Sequence, residues 1–411
     1  MDSTSDMSIG QRIALYRRLR GLTQEGLAMR LHRSKSWVTK VERGERSIDS
    51  VTALLQVSKA LGVEVQKLTG RPYFPEPGGR SVERAEGLSE LRRVLMRYDA
   101  IHGVAHGGSD EPAPDLGELS AEARRARDLY DTTTSNFSAV IPFLPGLIDR
   151  AQLTAREARG GERAGAYHVL ADLYRLAATE LRQYGDLDLG WIAADRAMLA
   201  GAQSGDDLLV GACAATMTGL IMVQGEPGAA VELAMDAAAS LRHVRGSSPQ
   251  ALVVWGTLHL YAAQAAARAG DPAECRRLLD VAADVASELG TDREDYWLYL
   301  GPTNVGIQEA GILVDLLDPN AALRRAESVD PDRLPSVNRR CYHHLHLARA
   351  QGLRRRDRET VRELLAAEQI APELVRYEPM ARELVRAMLG RERRSSNPNL
   401  RTLAERLGML A

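Results

Sequence analysis

Cysteine is scarce in this chain of 411 residues: Cys213, Cys275 and Cys341 stand far apart and are odd in number. They suit neither a disulfide framework nor a zinc cluster, and point to a reducing cytoplasm. No apolar run approaches the ~18 residues that cross a bilayer. The N-terminus lacks the apolar segment of a secretory signal, so no membrane partner is expected. Glycine (35) and proline (17) are too few for a collagen-like or disordered chain. Lysine is confined to four positions, all before residue 70, and aromatic residues make up 5%. What remains is a 45% hydrophobic chain, long enough for two or more domains with cores of their own.

The formal charge of −2 hides an asymmetry. Residues 7–70 carry twelve Lys and Arg against five acids, a surplus of seven positive charges, and residues 71–411 carry an excess of seven negative ones. A small basic unit joined to a large acidic one is the pattern of a nucleic-acid module with a separate regulatory body. The basic unit spans residues 1–70. It gives way at residues 71–82 to a linker, RPYFPEPGGR at its centre, whose three prolines and two glycines forbid a continuing helix.

Within the basic unit the pattern predicts five short helices. Residues 9–20 place Ile9, Ile13, Tyr16 and Leu19 on one face. Thr23 is an N-cap for a helix over 24–31. Ser34 caps a third helix over 35–43, which Gly44 stops. Helices over 49–61 and 63–68 complete the unit. The run LTQEGLAMRLHRSKSWVTKVERG at residues 22–44, continued by SKALGV at 58–63, resembles the Cro/repressor-type (XRE-like) helix-turn-helix family over about 60 residues. The resemblance implies a five-helix DNA-binding domain, dimeric on a two-fold-related operator, whose third helix enters the major groove of double-stranded DNA. It also implies a structural pair between Arg17 and Glu42. Three positions depart from the family pattern: His32 stands for the turn glycine, Arg33 for the apolar residue after it, and Gly26 for the acidic member of a capping box.

The chemistry of the third helix fits that role. With Val38 and Val41 turned inward, Lys35, Ser36, Thr39 and Lys40 face out, and a helix of this kind reaches base edges. Lys35 can donate to guanine, while Ser36 and Thr39 serve several bases. Ser34 and Gln24 sit at helix N-termini, and that of Gln24 favours a phosphate. Lys40, Arg43 and Arg46 suit phosphate contacts, which position the protein without specifying sequence. Trp37 either packs under the first helix or stacks near the sugar-phosphate backbone.

The remainder reads as helix throughout. Residues 83–160 form a helical connecting segment. From residue 161 to 411 a helix, a short turn and a second Ala-rich helix recur. The turns centre on Asp186, Glu226, Asp271, Asp318 and Asp357, spaced by 40, 45, 47 and 39 residues. Five helix pairs at this period predict a tetratricopeptide-like α-solenoid. The fold class is therefore all-α: a Cro/repressor-type DNA-binding domain followed by a helical repeat domain. This architecture resembles bacterial regulators that sense signalling peptides, which implies that the repeats dimerise and sense an effector.

No metalloprotease, phosphate-loop or nucleophile-elbow motif is present, so neither an enzyme nor a cofactor is expected. His343, His344 and His346 lack a carboxylate or thiolate partner at ligand spacing, and no metal is assigned. The stretch DYWLYLGPTNV at 295–305 concentrates aromatics around Pro302, where a helix must kink or restart. Tyr296, Tyr299, Thr303 and Asn304, with Trp255 and His259 of the preceding repeat and Tyr342 and His346 of the following one, form a candidate effector groove for a peptide or small molecule. The alternative is a DNA-binding protein whose repeats are a protein-docking platform with no small effector.

Overall fold

The structure, a computed structural model, describes residues 8–31, 33–44, 46, 51–61, 63, 68, 82–97, 115–391 and 398–410. The N-terminal unit holds α1 (Ile9–Leu19), α2 (Gln24–Arg30), α3 (Lys35–Glu42) and α4 (Val51–Leu61). Ser8, Thr23 and Ser34 each accept a backbone N–H of the first turn they precede, at 3.3, 3.0 and 3.2 Å. These side chains satisfy donors that a helix start otherwise leaves orphaned. Ile13, Leu27, Ala28, Val38, Val41, Val57 and Leu61 close a small apolar core. The turn residue His32 and most of the expected fifth helix lie outside the described residues, as does the segment 71–81.

The body begins with α5 (Val82–Met96), α6 (Leu116–Thr132), α7 (Asn136–Val140) and α8 (Leu144–Glu157). Five helix pairs follow: α9 (Gly161–Tyr184) with α10 (Leu187–Ser204), α11 (Asp207–Gln224) with α12 (Pro227–Ser240), and α13 (Pro249–Ala269) with α14 (Pro272–Leu289). A two-stranded hairpin, β1 (Arg293–Asp295) and β2 (Leu298–Leu300), separates these from α15 (Pro302–Asp315) with α16 (Pro319–Glu327) and α17 (Val337–Leu353) with α18 (Asp357–Ile370). The chain ends in α19 (Pro372–Tyr377), α20 (Pro379–Arg391) and α21 (Pro398–Arg406). The architecture is an α-solenoid of tetratricopeptide-like pairs behind a helix-turn-helix unit.

The turns within the pairs have a common mechanism. Gly185, Gly225 and Gly270 adopt left-handed φ of 92°, 89° and 80° and end the first helix. Asp186 and Asp271 then cap the second through its free N–H groups. In the last two pairs Leu317 (φ 63°) and Arg355 (φ 57°) take the left-handed position instead, at a cost of roughly 1–3 kcal/mol each. Between helices, alanines set the spacing: Ala262, Ala263 and Ala266 of α13 share one core with Ala282 and Ala286 of α14.

Two features differ from the sequence reading. The hairpin was not expected: its strands have three residues each, paired Arg293 with Leu300 and Asp295 with Leu298. Its turn is made by Tyr296 and Trp297, both at positive φ, in place of the Asn-Gly type that marks hairpins in sequence. Pro302 accordingly starts α15 at its first turn. Second, α11 is long and apolar enough, at 18 residues with a mean hydropathy of 1.5, to cross a membrane by length and composition. Here Leu209, Cys213 and Met217 pack in one core and Ala212, Ala214 and Ala215 in the next, as a repeat sandwiched by its neighbours.

The body also closes on itself. Leu91, Leu119, Val140 and Ile148 share a core with α9 and α10. At the far end, Asn136 Nδ2 donates to Asn338 Oδ1 at 2.9 Å, Asn338 Nδ2 to the Tyr130 carbonyl at 3.1 Å, and Ser336 to Asp131 at 3.2 Å. The Ser138 N–H donates to Glu373 at 3.0 Å. Phe137 stacks on Tyr184, with Tyr377 tilted against both. The helices before the first pair thus hold the last.

Candidate nucleic-acid interface and effector groove

The third helix of the N-terminal unit stands on a buried ionic platform. Arg17 of α1 grips Glu42 of α3 through two hydrogen bonds, at 2.5 and 2.9 Å, and donates a third to the Leu22 carbonyl at 2.7 Å. Gln24 Nε2 donates to the same carboxylate at 2.8 Å, and its Oε1 accepts from the Thr39 hydroxyl at 3.0 Å. Burial alone would raise the Glu42 carboxyl. The hydrogen bonds from Arg17 and Gln24 and the Arg17 charge outweigh it and hold the group below the ordinary carboxylate range. One chain of contacts therefore fixes α1, α2 and α3 at a set mutual angle.

This platform redistributes the candidate DNA-facing residues. Lys35, Ser36 and Lys40 are exposed, and Arg43 and Arg46 are exposed at and beyond the end of α3. Ser34 spends its hydroxyl on the Trp37 N–H. The Thr39 hydroxyl is shared between the Gln24 amide oxygen and the Lys35 carbonyl, both at 3.0 Å. Those two side chains hold the helices together and present less free hydrogen-bonding capacity than sequence reasoning gave them. Lys35 approaches Glu25 at 4.0 Å, with both side chains mostly in solvent, a pair worth little. Trp37 packs on the core while Arg33 lies 5.6 Å from its ring.

Gly10 permits the closeness of α1 and α3. A Cβ there would stand 2.1 Å from the Val41 carbonyl oxygen. Gly10→Ala is expected to push α3 outward, lower the melting point of the N-terminal unit by an overpacking cost of about 1–3 kcal/mol, and weaken DNA binding. Circular dichroism melts and gel shifts of the full chain measure both.

In the body, the first helix of each pair turns one stripe toward a shared groove of about 1120 Å³. Arg175, Thr179 and Arg182 come from α9, Tyr261 and Gln264 from α13, and Arg339, Tyr342 and His346 from α17. Residues of α6 and the hairpin, among them Tyr130 and Trp297, complete the lining. One edge is bordered by Tyr16, Arg20 and Lys59 of the N-terminal unit, and α4 touches α20.

Of the eight candidate effector residues, Tyr299, Tyr342 and His346 line this groove. The other five are engaged elsewhere. Trp255 donates to the Ala238 carbonyl and lies under Arg245, and His259 bonds back to the Trp255 carbonyl. At roughly 100° per residue these two stand about 120° and 160° around α13 from Tyr261. Tyr296 donates to Asp206 at 2.8 Å. Thr303 and Asn304 give their backbone N–H groups to Asp292, and Asn304 Nδ2 donates to the Tyr299 carbonyl, so they fasten the hairpin to α15. Sequence reasoning followed the rare aromatics and passed over the arginines of the groove.

His343 and His346 are buried, and burial holds them neutral, at about 4 and about 3. Among the described residues no group of three or more His, Cys, Asp or Glu side chains is arranged to hold a metal.

A basic recognition helix on a small helical unit, joined to a repeat body with an internal groove, defines a DNA-binding transcriptional regulator. Residues 8–69 match the model of a helix-turn-helix domain family. The immunity repressor protein of Bacillus phage phi105 is 39% identical over 118 residues, 27% of this chain and 81% of that protein. The chain belongs to this Cro/repressor-type helix-turn-helix family. Acetylglutamate kinase of Paracoccus denitrificans is 30% identical over 120 residues, but the match takes in 28% of this chain and 39% of the kinase. Among solved structures, PlcR of Bacillus thuringiensis in complex with the peptide PapR7 and DNA aligns over 69% of this chain and 95% of its own, at 13% identity and a TM-score of 0.28.

Proposed function

We propose that this chain is a cytoplasmic, sequence-specific regulator that binds a two-fold-related operator as a homodimer and answers to a peptide or small molecule held in its repeat groove. Two copies of α3 would read half-sites about one helical turn (~34 Å) apart. Lys35 and Ser36 carry base recognition, while Lys40, Arg43 and Arg46 meet phosphates. The observation that carries the reading is the exposed Lys35, Ser36 and Lys40 face of α3 above its fixed Arg17–Glu42–Gln24 platform. An effector that prefers one curvature of the repeats would bias the spacing of the two readers by population shift. The edge that Tyr16, Arg20 and Lys59 give to the groove supports such a coupling. The wall that α6 and the hairpin give the groove favours an occupant of ligand size over a folded docking partner.

The test is selection of bound fragments from genomic DNA by the purified full chain, followed by the Lys35→Ala/Ser36→Ala variant on the selected operator. The variant is expected to lose about 10- to 100-fold of its preference for operator over random duplex. Lys40→Ala should instead weaken all duplexes alike and reduce the salt dependence by about one phosphate contact. Full operator preference in the double variant refutes the assignment of α3.

A further inference from the structure

Six arginines of the body line the groove, and four are matched by carboxylates. Arg175 bonds Asp172 at 2.9 Å and the Tyr296 carbonyl at 2.8 Å. Arg127 lies 2.8 Å from Asp131. Arg268 and Arg349 both pair with Asp315, whose carboxyl they hold below its ordinary range although burial alone would raise it. Arg182 and Arg339 differ. Among the described residues neither forms an ion pair with a carboxylate, and both guanidinium groups are half-buried within the groove. The carboxylate electrostatically nearest to Arg182 is Glu378, which accepts from the Tyr342 hydroxyl at 3.0 Å. Asp131, on the side of Arg339, is taken by Arg127, Tyr299 and Ser336.

Tyr261 lines the same groove and hydrogen-bonds Arg339; that bond and the charges of Arg339, Arg182 and Arg175 hold its phenol below the ordinary range although burial alone would raise it. Two turns along the Arg339 stripe, His346 keeps both ring nitrogens buried with no hydrogen-bond partner. Its ring is pressed against Gly311, where a Cβ would approach to 2.6 Å. Cations taken out of bulk water without counter-charge are costly. Guanidinium forks match the paired oxygens of a carboxylate or phosphate.

We infer that Arg182 and Arg339, with Tyr261 in the same groove, form an anion subsite that receives a carboxylate or phosphate group of the effector, with His346 offering a neutral hydrogen-bond partner beside it. The inference rests on the effector reading above and narrows it to acidic ligands.

The full chain is titrated separately with inorganic phosphate and with succinate, against sodium chloride at matched ionic strength, and its thermal unfolding is followed. At ten times the dissociation constant, mass action raises the transition of the body by about 2–4 °C beyond the chloride control. A response to phosphate alone assigns a phosphate group, to succinate alone a carboxylate, and to both the shared chemistry. Arg182→Gln and Arg339→Gln are each expected to abolish the increment, because each removes a guanidinium that meets the anion. Arg339→Lys keeps the charge without the fork. It should fold whether or not the Gln variant does, and should bind the anion at least about threefold more weakly. No increment over chloride in the wild type, or an increment unchanged in all three variants, overturns the subsite. Operator binding measured on the same preparations is independent of it. Loss of the anion effect with operator binding intact sinks the subsite alone, and loss of operator binding in the wild type sinks the regulator reading.

Discussion

Glu42→Ala is expected to abolish DNA binding without touching a DNA-facing residue. The substitution strands the Arg17 guanidinium, whose side chain is 9% exposed, and releases Gln24 from the carboxylate that orients it. Breaking a buried ion pair from one side costs about 3–5 kcal/mol. That is comparable to the whole stability of a unit of some sixty residues. The N-terminal unit should therefore melt at or below room temperature while the body remains helical. In circular dichroism this removes the lower of two transitions, and in gel shifts it removes the retarded band. Arg17→Leu combined with Glu42→Leu should restore part of the lost stability, since an apolar pair leaves no stranded charge. The direction with pH follows from the lowered Glu42 carboxyl. Its stabilisation is fully present above the unfolded carboxylate value, near 4.3, and is lost as pH falls through the lower folded value. If Glu42→Ala binds operator as the wild type does, the platform is not what holds α3 in place.

Glu180→Gln is expected to stabilise the body, and more so the higher the pH. Glu180 is fully buried on α9 with neither carboxylate oxygen hydrogen-bonded. Burial, reinforced by the Glu373 charge, pushes its carboxyl up to about 8. A raised carboxyl value means that the folded protein keeps a proton which the unfolded chain releases. The associated stability is complete below the unfolded value, declines as pH rises, and is gone above the folded value. The wild-type body should lose stability on the order of 2–4 kcal/mol between pH 5 and pH 8. The glutamine, neutral throughout, should flatten that slope and unfold several degrees higher at pH 8. Parallel slopes for the two proteins would show that Glu180 is not the group responsible.

The parts of the fold that were legible in the sequence are those with local causes. Gly185, Gly225 and Gly270, each followed by an acidic residue, announced the pairs. Ser34, Gly44 and the Val38/Val41 spacing announced α3. Arg17 and Glu42 came through the family resemblance. What was not legible depends on distance along the chain. Asn136 and Asn338 are unremarkable singly, and nothing in either neighbourhood signals a bond across about two hundred residues. Arg182 and Arg339 were hidden by abundance, since arginine occurs throughout this chain and only the missing partner distinguishes them. The hairpin escaped because its strands are too short to alternate and its turn uses Tyr296 and Trp297. Thr39 reads as turned outward from helix geometry and Gln24 as meeting a phosphate at its helix start; their mutual bond requires knowing how α2 lies against α3.

The clasp of α6 and α7 on α17 and α19 changes what kind of object the repeat stack is. In an open stack each unit leans only on the next, so ends can fray and units can be added or lost one at a time. Here the Asn136–Asn338 and Ser138–Glu373 bonds turn the row into a hoop. Deleting the last helices exposes the first as well, and the hoop can reach its final form only after both arms have met. Such distant pairings slow folding and make loss of structure all-or-none across the whole circumference.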